Sequence, residues 1–102
     1  MSTLSIDRET LRARSVQVTD DAVVVDLVDG RTISTPLAWY PRLVHGSAAE
    51  RVKFELIGNG EGVHWPDLDE DLSIEGMLAG QASREKPESI ERWLASRTKT
   101  KN

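Results

Sequence analysis

Polar and apolar residues alternate along the first third of the chain, and this pattern predicts antiparallel strands. Residues 15–20 alternate cleanly, as a half-buried strand does, and the valine-rich run over 22–28 is typical of a more buried strand. Residues 31–35 form a third strand, which Pro36 ends because proline has no amide hydrogen to give a sheet. Asp29-Gly30 is a strong hairpin signal, since both residues tolerate positive φ. We therefore predict a local three-stranded meander.

A second hairpin is predicted over residues 54–65, around the glycine-rich stretch 58–62. Three glycines in five positions allow positive φ at little cost, so the backbone can reverse there. Pro66 is expected to end the returning strand. The acidic run 67–71 precedes a segment, 73–80, whose apolar residues recur at helical spacing. We predict that the acids mark the start of this helix, because the helix dipole favours negative charge at that end.

Three further helical segments follow from capping and spacing signals. A helical turn is expected over 41–44, and Ser47 with Glu50 forms a capping-box pattern for a short helix. Residues 87–97 begin with proline and place Ile90, Trp93 and Leu94 on one face. That face either packs on its own domain or is offered to a partner, and the sequence leaves both arrangements open.

These elements define the expected fold class and domain organisation. The fold is α+β: a small antiparallel sheet, made of the meander and the second hairpin, with short helices on one side. We divide the chain into an N-terminal arm over 1–12, an α+β domain over 13–80, a linker and C-terminal helix over 81–97, and a disordered tail over 98–102.

Composition and charge narrow the choice of compartment and partner. The chain has 102 residues and no cysteine, which excludes disulfides and fits the cytoplasm. It shows no apolar run long enough to span a membrane and no signal-peptide pattern, so no membrane partner is expected. Residues 1–83 contain 7 Lys and Arg against 14 Asp and Glu, whereas residues 84–102 contain 6 against 3. The body is therefore acidic and repels nucleic acid, while the tail is basic.

The candidate motifs for catalysis and metal binding are incomplete. Asp67, Asp69 and Asp71 match the first positions of a calcium loop, but leucines replace the glycine and glutamate that this loop requires later. His45 and His64 lack a zinc-site spacing, the glycine stretch lacks a phosphate-loop spacing, and no nucleophile elbow is present. We predict no metal, no cofactor and no enzymatic activity. A small-ligand or enzymatic site using His64 with Asp67 or Asp69 is the least favoured alternative.

Four motifs, taken together in their order and spacing, are similar to those of a known family. They are Asp29-Gly30-Arg31, Pro36-Leu37-Ala38-Trp39-Tyr40-Pro41-Arg42-Leu43, Ile57-Gly58-Asn59-Gly60-Glu61-Gly62-Val63-His64-Trp65-Pro66 and Leu68-Asp69-Glu70-Asp71-Leu72-Ser73. The chain thereby resembles the small bacterial domain-of-unknown-function family 2442 over about Ala13 to Gly80. The resemblance implies a small α+β domain, sometimes fused to a helix-turn-helix and often encoded beside a small partner in loci that resemble toxin–antitoxin pairs. It implies no catalytic residues, and the segment after Gly80 is too short for a helix-turn-helix.

The leading functional hypothesis is a cytoplasmic protein–protein interaction module, the antitoxin-like or regulatory half of a two-gene locus. Its partner would be another small protein, such as the product of a neighbouring gene, and a homodimer is also compatible with the sequence. The expected aromatic contacts and acidic rim are Trp39, Tyr40, Trp65 and Trp93 with Asp67, Asp69, Glu70 and Asp71.

The alternative hypothesis is a nucleic-acid-associated regulator that acts through its basic tail. Its contacts would be Arg84, Lys86, Arg92, Arg97, Lys99 and Lys101.

Overall fold

The first of two antiparallel sheets is the predicted meander. The computed structural model describes residues 11–99. In it, β1 (Ala13–Val18), β2 (Ala22–Leu27) and β3 (Thr32–Pro36) lie in the order β1-β2-β3. Four residues, 28–31, lie between β2 and β3, rather than the two of a type I′ turn. The Leu27 amide donates to the Arg31 carbonyl, and only Gly30 takes a positive φ, of 97°.

The second sheet contains a third strand that was not predicted from the sequence. Its strands are β4 (Glu55–Ile57), β5 (Gly62–Trp65) and β6 (Glu70–Ser73), in the order β4-β5-β6. Leu72 of β6 lies opposite Val63 of β5 and is buried with it. The helix predicted over 73–80 is present over Ile74–Leu78, with Ser73 as its N-cap, but the strand directly before it was not predicted. Pairing with β5 lets Leu72 enter the core while the acid before it points outward.

Short helices connect and cover the two sheets. A 3₁₀ turn (Leu37–Trp39) leads into α1 (Pro41–His45) and α2 (Ala48–Val52), a second 3₁₀ turn (Gly58–Gly60) joins β4 to β5, and α3 (Ile74–Leu78) and α4 (Pro87–Lys99) follow. The capping box is confirmed: the Ser47 hydroxyl accepts from the Glu50 amide, and the Glu50 carboxylate accepts from the Ser47 amide. Gly80, with φ of 78°, follows α3 as predicted.

The chain ends differ from the predicted division. Helix α4 runs to Lys99, so Thr98 and Lys99 are helical rather than part of a disordered tail. At the other end, Leu11 is buried in the core and the Arg12 carbonyl accepts from the Val28 amide, so both belong to the body. Residues 1–10 of the expected arm and 100–102 of the expected tail lie outside the described residues.

The core joins the inward faces of both sheets to residues of α1 and α3. Its largest buried side chains are Trp65, Tyr40, Leu27, Leu43, Leu68, Ile74, Val23, Val25 and Val63. The polar atoms that it buries have partners: the Trp65 Nε1 group donates to the Arg51 carbonyl at 3.0 Å, and the Tyr40 hydroxyl donates to Thr35 Oγ1 at 3.1 Å. Between residues 11 and 99, no helix is both long and apolar enough to span a bilayer.

Candidate functional site

The second sheet and α3 form an acidic half of the molecule, defined here as residues 54–83. This segment contains seven Asp and Glu residues and no Lys or Arg. Six of the acids are exposed, namely Glu55, Glu61, Asp67, Asp69, Asp71 and Glu75, and Glu70 is partly buried. Basic residues from outside this half reach its acids: Lys53 Nζ lies 2.9 Å from Asp67, and the Arg42 guanidinium lies 3.9 Å from Asp69. The acidic half therefore attracts cationic groups.

Strand pairing places Glu55, His64 and Asp71 in one row on the outer face of the second sheet. Glu55 lies opposite His64 across β4 and β5, and His64 lies opposite Asp71 across β5 and β6. His64 Nδ1 is hydrogen-bonded to the Asp71 carboxylate, and this bond raises the pKa of His64. The least favoured alternative, an enzymatic or small-ligand site, combined His64 with Asp67 or Asp69, whereas β6 brings Asp71 to the imidazole.

Glu70 is the one acid of this half that points inward. It lies opposite Trp65 at the end of β6, on the same face as Leu72. Burial raises the pKa of Glu70 to about 7, although the positive charge of Arg42 acts in the other direction. As a core-facing residue Glu70 is badly placed to form the expected charged rim, whereas Asp67, Asp69 and Asp71 are exposed there.

Arg42 connects α1 to the start of α4 and to the turn before β6. Its guanidinium forms a bidentate ion pair with Glu85, with distances of 2.8 and 2.6 Å, and donates to the Leu68 carbonyl at 3.2 Å. Only 14% of the Arg42 side chain and 18% of the Glu85 side chain are exposed. This pair lowers the pKa of Glu85 to about 2. Arg42 therefore has a structural role in holding the C-terminal segment.

The four aromatic residues that were expected to contact a partner differ in exposure. Trp65 is 0% exposed and Tyr40 is 1% exposed, so these two predicted contacts were wrong: both side chains fill the core. Trp39 is partly buried and meets the edge of the Tyr40 ring, with 6.3 Å between ring centroids. Trp93 is also partly buried against the core, between the guanidinium groups of Arg42 and Arg97. The face of α4 that carries Trp93 thus packs on its own domain.

The predicted nucleic-acid residues differ in exposure and in the contacts that they make. Arg97 is held against the body, because it pairs with Glu50 at 2.7 Å and lies over the Trp93 ring at 4.6 Å. Arg84, Lys86 and Arg92 are exposed at the start and middle of the C-terminal segment. Lys99 ends α4, and Lys101 lies outside the described residues.

The apolar surface of β4 is a feature that sequence reasoning missed. All three residues of β4 are exposed, and Leu56 and Ile57 each keep 43% of their surface accessible. Val52, which ends α2 just before this strand, is 73% exposed. A run of apolar residues is typical of a buried strand, so the sequence pattern of β4 did not indicate that its side chains are exposed. The shortness of β4 was the one available sign of exposure, since a strand that reaches a glycine turn after three residues gives neighbouring elements little area to pack on.

The cavities found among the described residues are small. A cavity of about 200 Å³ lies beside α3 and is lined by Tyr40, Asp71, Met77 and Arg84 among others. A second cavity of about 160 Å³ lies near Leu11 and Glu75. Across residues 11–99, no three His, Asp or Glu side chains are grouped so that they could hold a metal ion.

Two three-stranded antiparallel sheets with short helices define a small α+β domain. Residues 13–83 match the model of the family described as "Protein of unknown function (DUF2442)", and the chain belongs to that family. It is similar to the crystal structure of a protein of unknown function from Rhodospirillum rubrum, with 33% identity and a TM-score of 0.63 over 72% of this chain and 92% of that one. It shares its fold with an uncharacterized protein from Chromobacterium violaceum, with 22% identity and a TM-score of 0.62 over 95% and 90% of the two chains. No curated protein matches the sequence.

Proposed function

We propose that this protein is a protein-binding module whose acidic half receives a basic partner, and that it is the antitoxin-like or regulatory member of a two-gene pair. The observation that carries the proposal is the composition of residues 54–83, with seven acids and no Lys or Arg. Acids collected on one half of a small domain repel one another, and a basic partner relieves that repulsion. Complementary charge also accelerates encounter.

The placement of the acids supports binding to a macromolecule more than catalysis. Six of the seven are exposed on strands, turns and α3: Glu61 and Glu75 line the second cavity, Asp71 lines the first, and the other three lie on open surface. The cavities beside them are small, whereas ligand sites usually enclose about 300 Å³ or more. A spread of surface charge next to exposed apolar side chains is typical of an interface rim and its centre.

Nucleic acid has less support as the partner. Most of the carboxylates of the acidic half are exposed to solvent, and they repel the phosphates of a nucleic acid. Arg97, one of the basic candidates, is already engaged with Glu50 and Trp93.

The test is sedimentation of the protein alone and after co-expression with the product of its neighbouring gene. We expect a stable one-to-one species that weakens as salt is raised. The double variant Glu55→Lys/Glu61→Lys should lose the complex. Glu88→Lys/Glu91→Lys makes the same charge change on exposed residues of α4 and serves as the matched control.

Two results would contradict the proposal in different ways. A lone monomer in every sample would remove the neighbouring product as the partner and with it the antitoxin-like role. A complex that both double variants weaken equally would show that net charge matters and that the acidic half does not.

A further inference from the structure

Among residues 11–99, the outer side of β4 is an open sheet edge. β4 is the first strand of the second sheet and pairs only with β5 among the described strands. Within residues 11–99, the backbone of β4 forms no hydrogen bond to any element on its other side. An edge of this kind presents unpaired amide and carbonyl groups to another extended chain. Edge strands of soluble proteins are commonly protected by charge or cover, yet β4 exposes two large apolar residues.

The register of the second sheet fixes which way the β4 side chains point. Leu56 lies opposite Val63, which lies opposite Leu72, so Leu56 extends the core-facing side beyond the core itself. Glu55 and Ile57 point to the other face, where the Ile57 side chain lies over Gly62, with Cδ1 3.6 Å from the position of a Cβ there. A strand added at this edge would continue an apolar row on one face and meet an acid on the other.

We propose that β4 accepts an extended segment of the partner as a fourth strand of this sheet, with an apolar residue beside Leu56 and a Lys or Arg beside Glu55. The inference rests on the proposed function and names the surface and the partner segment. Main-chain hydrogen bonds would give affinity, and the alternating side chains would give specificity. A partner segment in which basic and apolar residues alternate would match the acids near β4, since Glu55 and Asp71 share the outer face of the sheet and Glu61 lies in the turn after β4.

A second copy of this chain fits the edge less well. Pairing two β4 strands would bring two acidic halves together, each with seven acids and no Lys or Arg of its own. The self-repulsion of such a dimer falls as salt is raised, whereas binding of a basic segment weakens under the same change. The two occupants therefore predict opposite responses to salt.

The probe is an acetylated ten-residue peptide of alternating lysine and valine, titrated into the ¹⁵N-labelled full chain. We expect amide shifts centred on β4 and β5 and at least tenfold weaker binding of a peptide in which glutamate replaces lysine. Leu56→Lys should weaken binding tenfold or more. Leu78→Lys, at a leucine that is 41% exposed against 43% for Leu56, should leave binding within twofold.

Three results would overturn this inference. They are shifts centred away from β4 and β5, equal binding of the two peptides, and equal weakening by Leu56→Lys and Leu78→Lys. Concentration-dependent dimerisation without peptide binding would assign the edge to a second copy instead.

The failure of this inference is distinguishable from that of the proposed function. A complex with the neighbouring gene product that survives Leu56→Lys would leave the proposed function standing and would place the interface elsewhere. Peptide binding at β4 without any such complex would support the edge as a binding site and would remove that product as the partner.

Discussion

Replacing Glu70 by glutamine should stabilise the protein above pH 7 and change little near pH 4.5. Glu70 lies on the core-facing side of β6, and burial raises its pKa to about 7. Glutamine has nearly the same shape but no charge, so it removes the cost of burying a carboxylate. The groups that act on this carboxyl come from three segments: Arg42 of α1, Glu85 before α4, and Asp69 and Asp71 beside it.

The direction follows from proton linkage. In the unfolded chain the pKa of Glu70 is near 4.5, and in the folded protein it is about 7. The folded state therefore holds the proton more tightly, and stability falls as pH rises from about 4.5 to about 7. At about 1.4 kcal/mol for each factor of ten in proton affinity, the full penalty is about 3 kcal/mol. Since the side chain is partly exposed, solvent screening lowers this, and we expect a gain of about 1–3 kcal/mol for Glu70→Gln at pH 8.

The assay is urea denaturation, followed by tryptophan fluorescence, at intervals between pH 4.5 and 8.5. His64 also has a raised pKa, and its contribution is likewise lost as pH rises, so the informative quantity is the difference between two proteins that differ only at position 70. Glu91→Gln, at an exposed position of α4, is the matched control and should show no such difference. A constant difference across the whole pH range, or no gain at pH 8, would show that burial of the Glu70 carboxylate does not cost the folded protein stability.

Three further substitutions test contacts described above by the free energy of unfolding. Arg42→Ala should lower the free energy of unfolding by about 2–4 kcal/mol, because it leaves the largely buried carboxylate of Glu85 without its ion pair. Arg31→Ala breaks an exposed ion pair and should cost less than about 1 kcal/mol. Equal losses for the two variants would contradict the role assigned to Arg42. Gly60→Ala should lower the free energy of unfolding by about 2 kcal/mol or more, since the new Cβ would lie 2.8 Å from a backbone oxygen and φ is 97°. Gly30 has the same φ but lies in open space, so Gly30→Ala should cost only about 1 kcal/mol. A larger loss for Gly30→Ala than for Gly60→Ala would be inconsistent with the structure. Ser47→Ala removes the α2 cap and should cost about 1 kcal/mol, and an unchanged urea midpoint would show that the cap is dispensable.

The local parts of the fold could be predicted because their signals lie within a few residues. The capping box at Ser47 and the glycine after α3 each depend on neighbours in sequence, and each forms as expected. The hairpin at Asp29-Gly30 also forms, but its loop is longer than two residues and only Gly30 has a positive φ. β6 could not be recognised in the same way. It has one buried apolar residue, Leu72, and this is too little alternation to distinguish a strand from an acidic helix start.

The candidate site was harder to predict than the fold. Composition identified the acidic body, but it did not show that Tyr40 and Trp65 point inward, because an aromatic residue serves a core and an interface equally well. Contacts across long separations were also inaccessible. Arg42 and Glu85 are 43 residues apart, and no spacing rule joins them. The exposure of Leu56 arises only from the position of β4 at the sheet edge.

Each sheet is built from three strands that follow one another directly along the chain, and this order bears on how the protein reaches its native state. Neighbouring strands need only short loops to close, so little chain entropy is lost before each pairing forms, and we expect both sheets to assemble quickly. The C-terminal segment with α4 differs, because the ion pair at Glu85, just before the helix, spans 43 residues and the ion pair at Arg97, within the helix, spans 47. We therefore expect α4 to dock last and to open first when the protein unfolds.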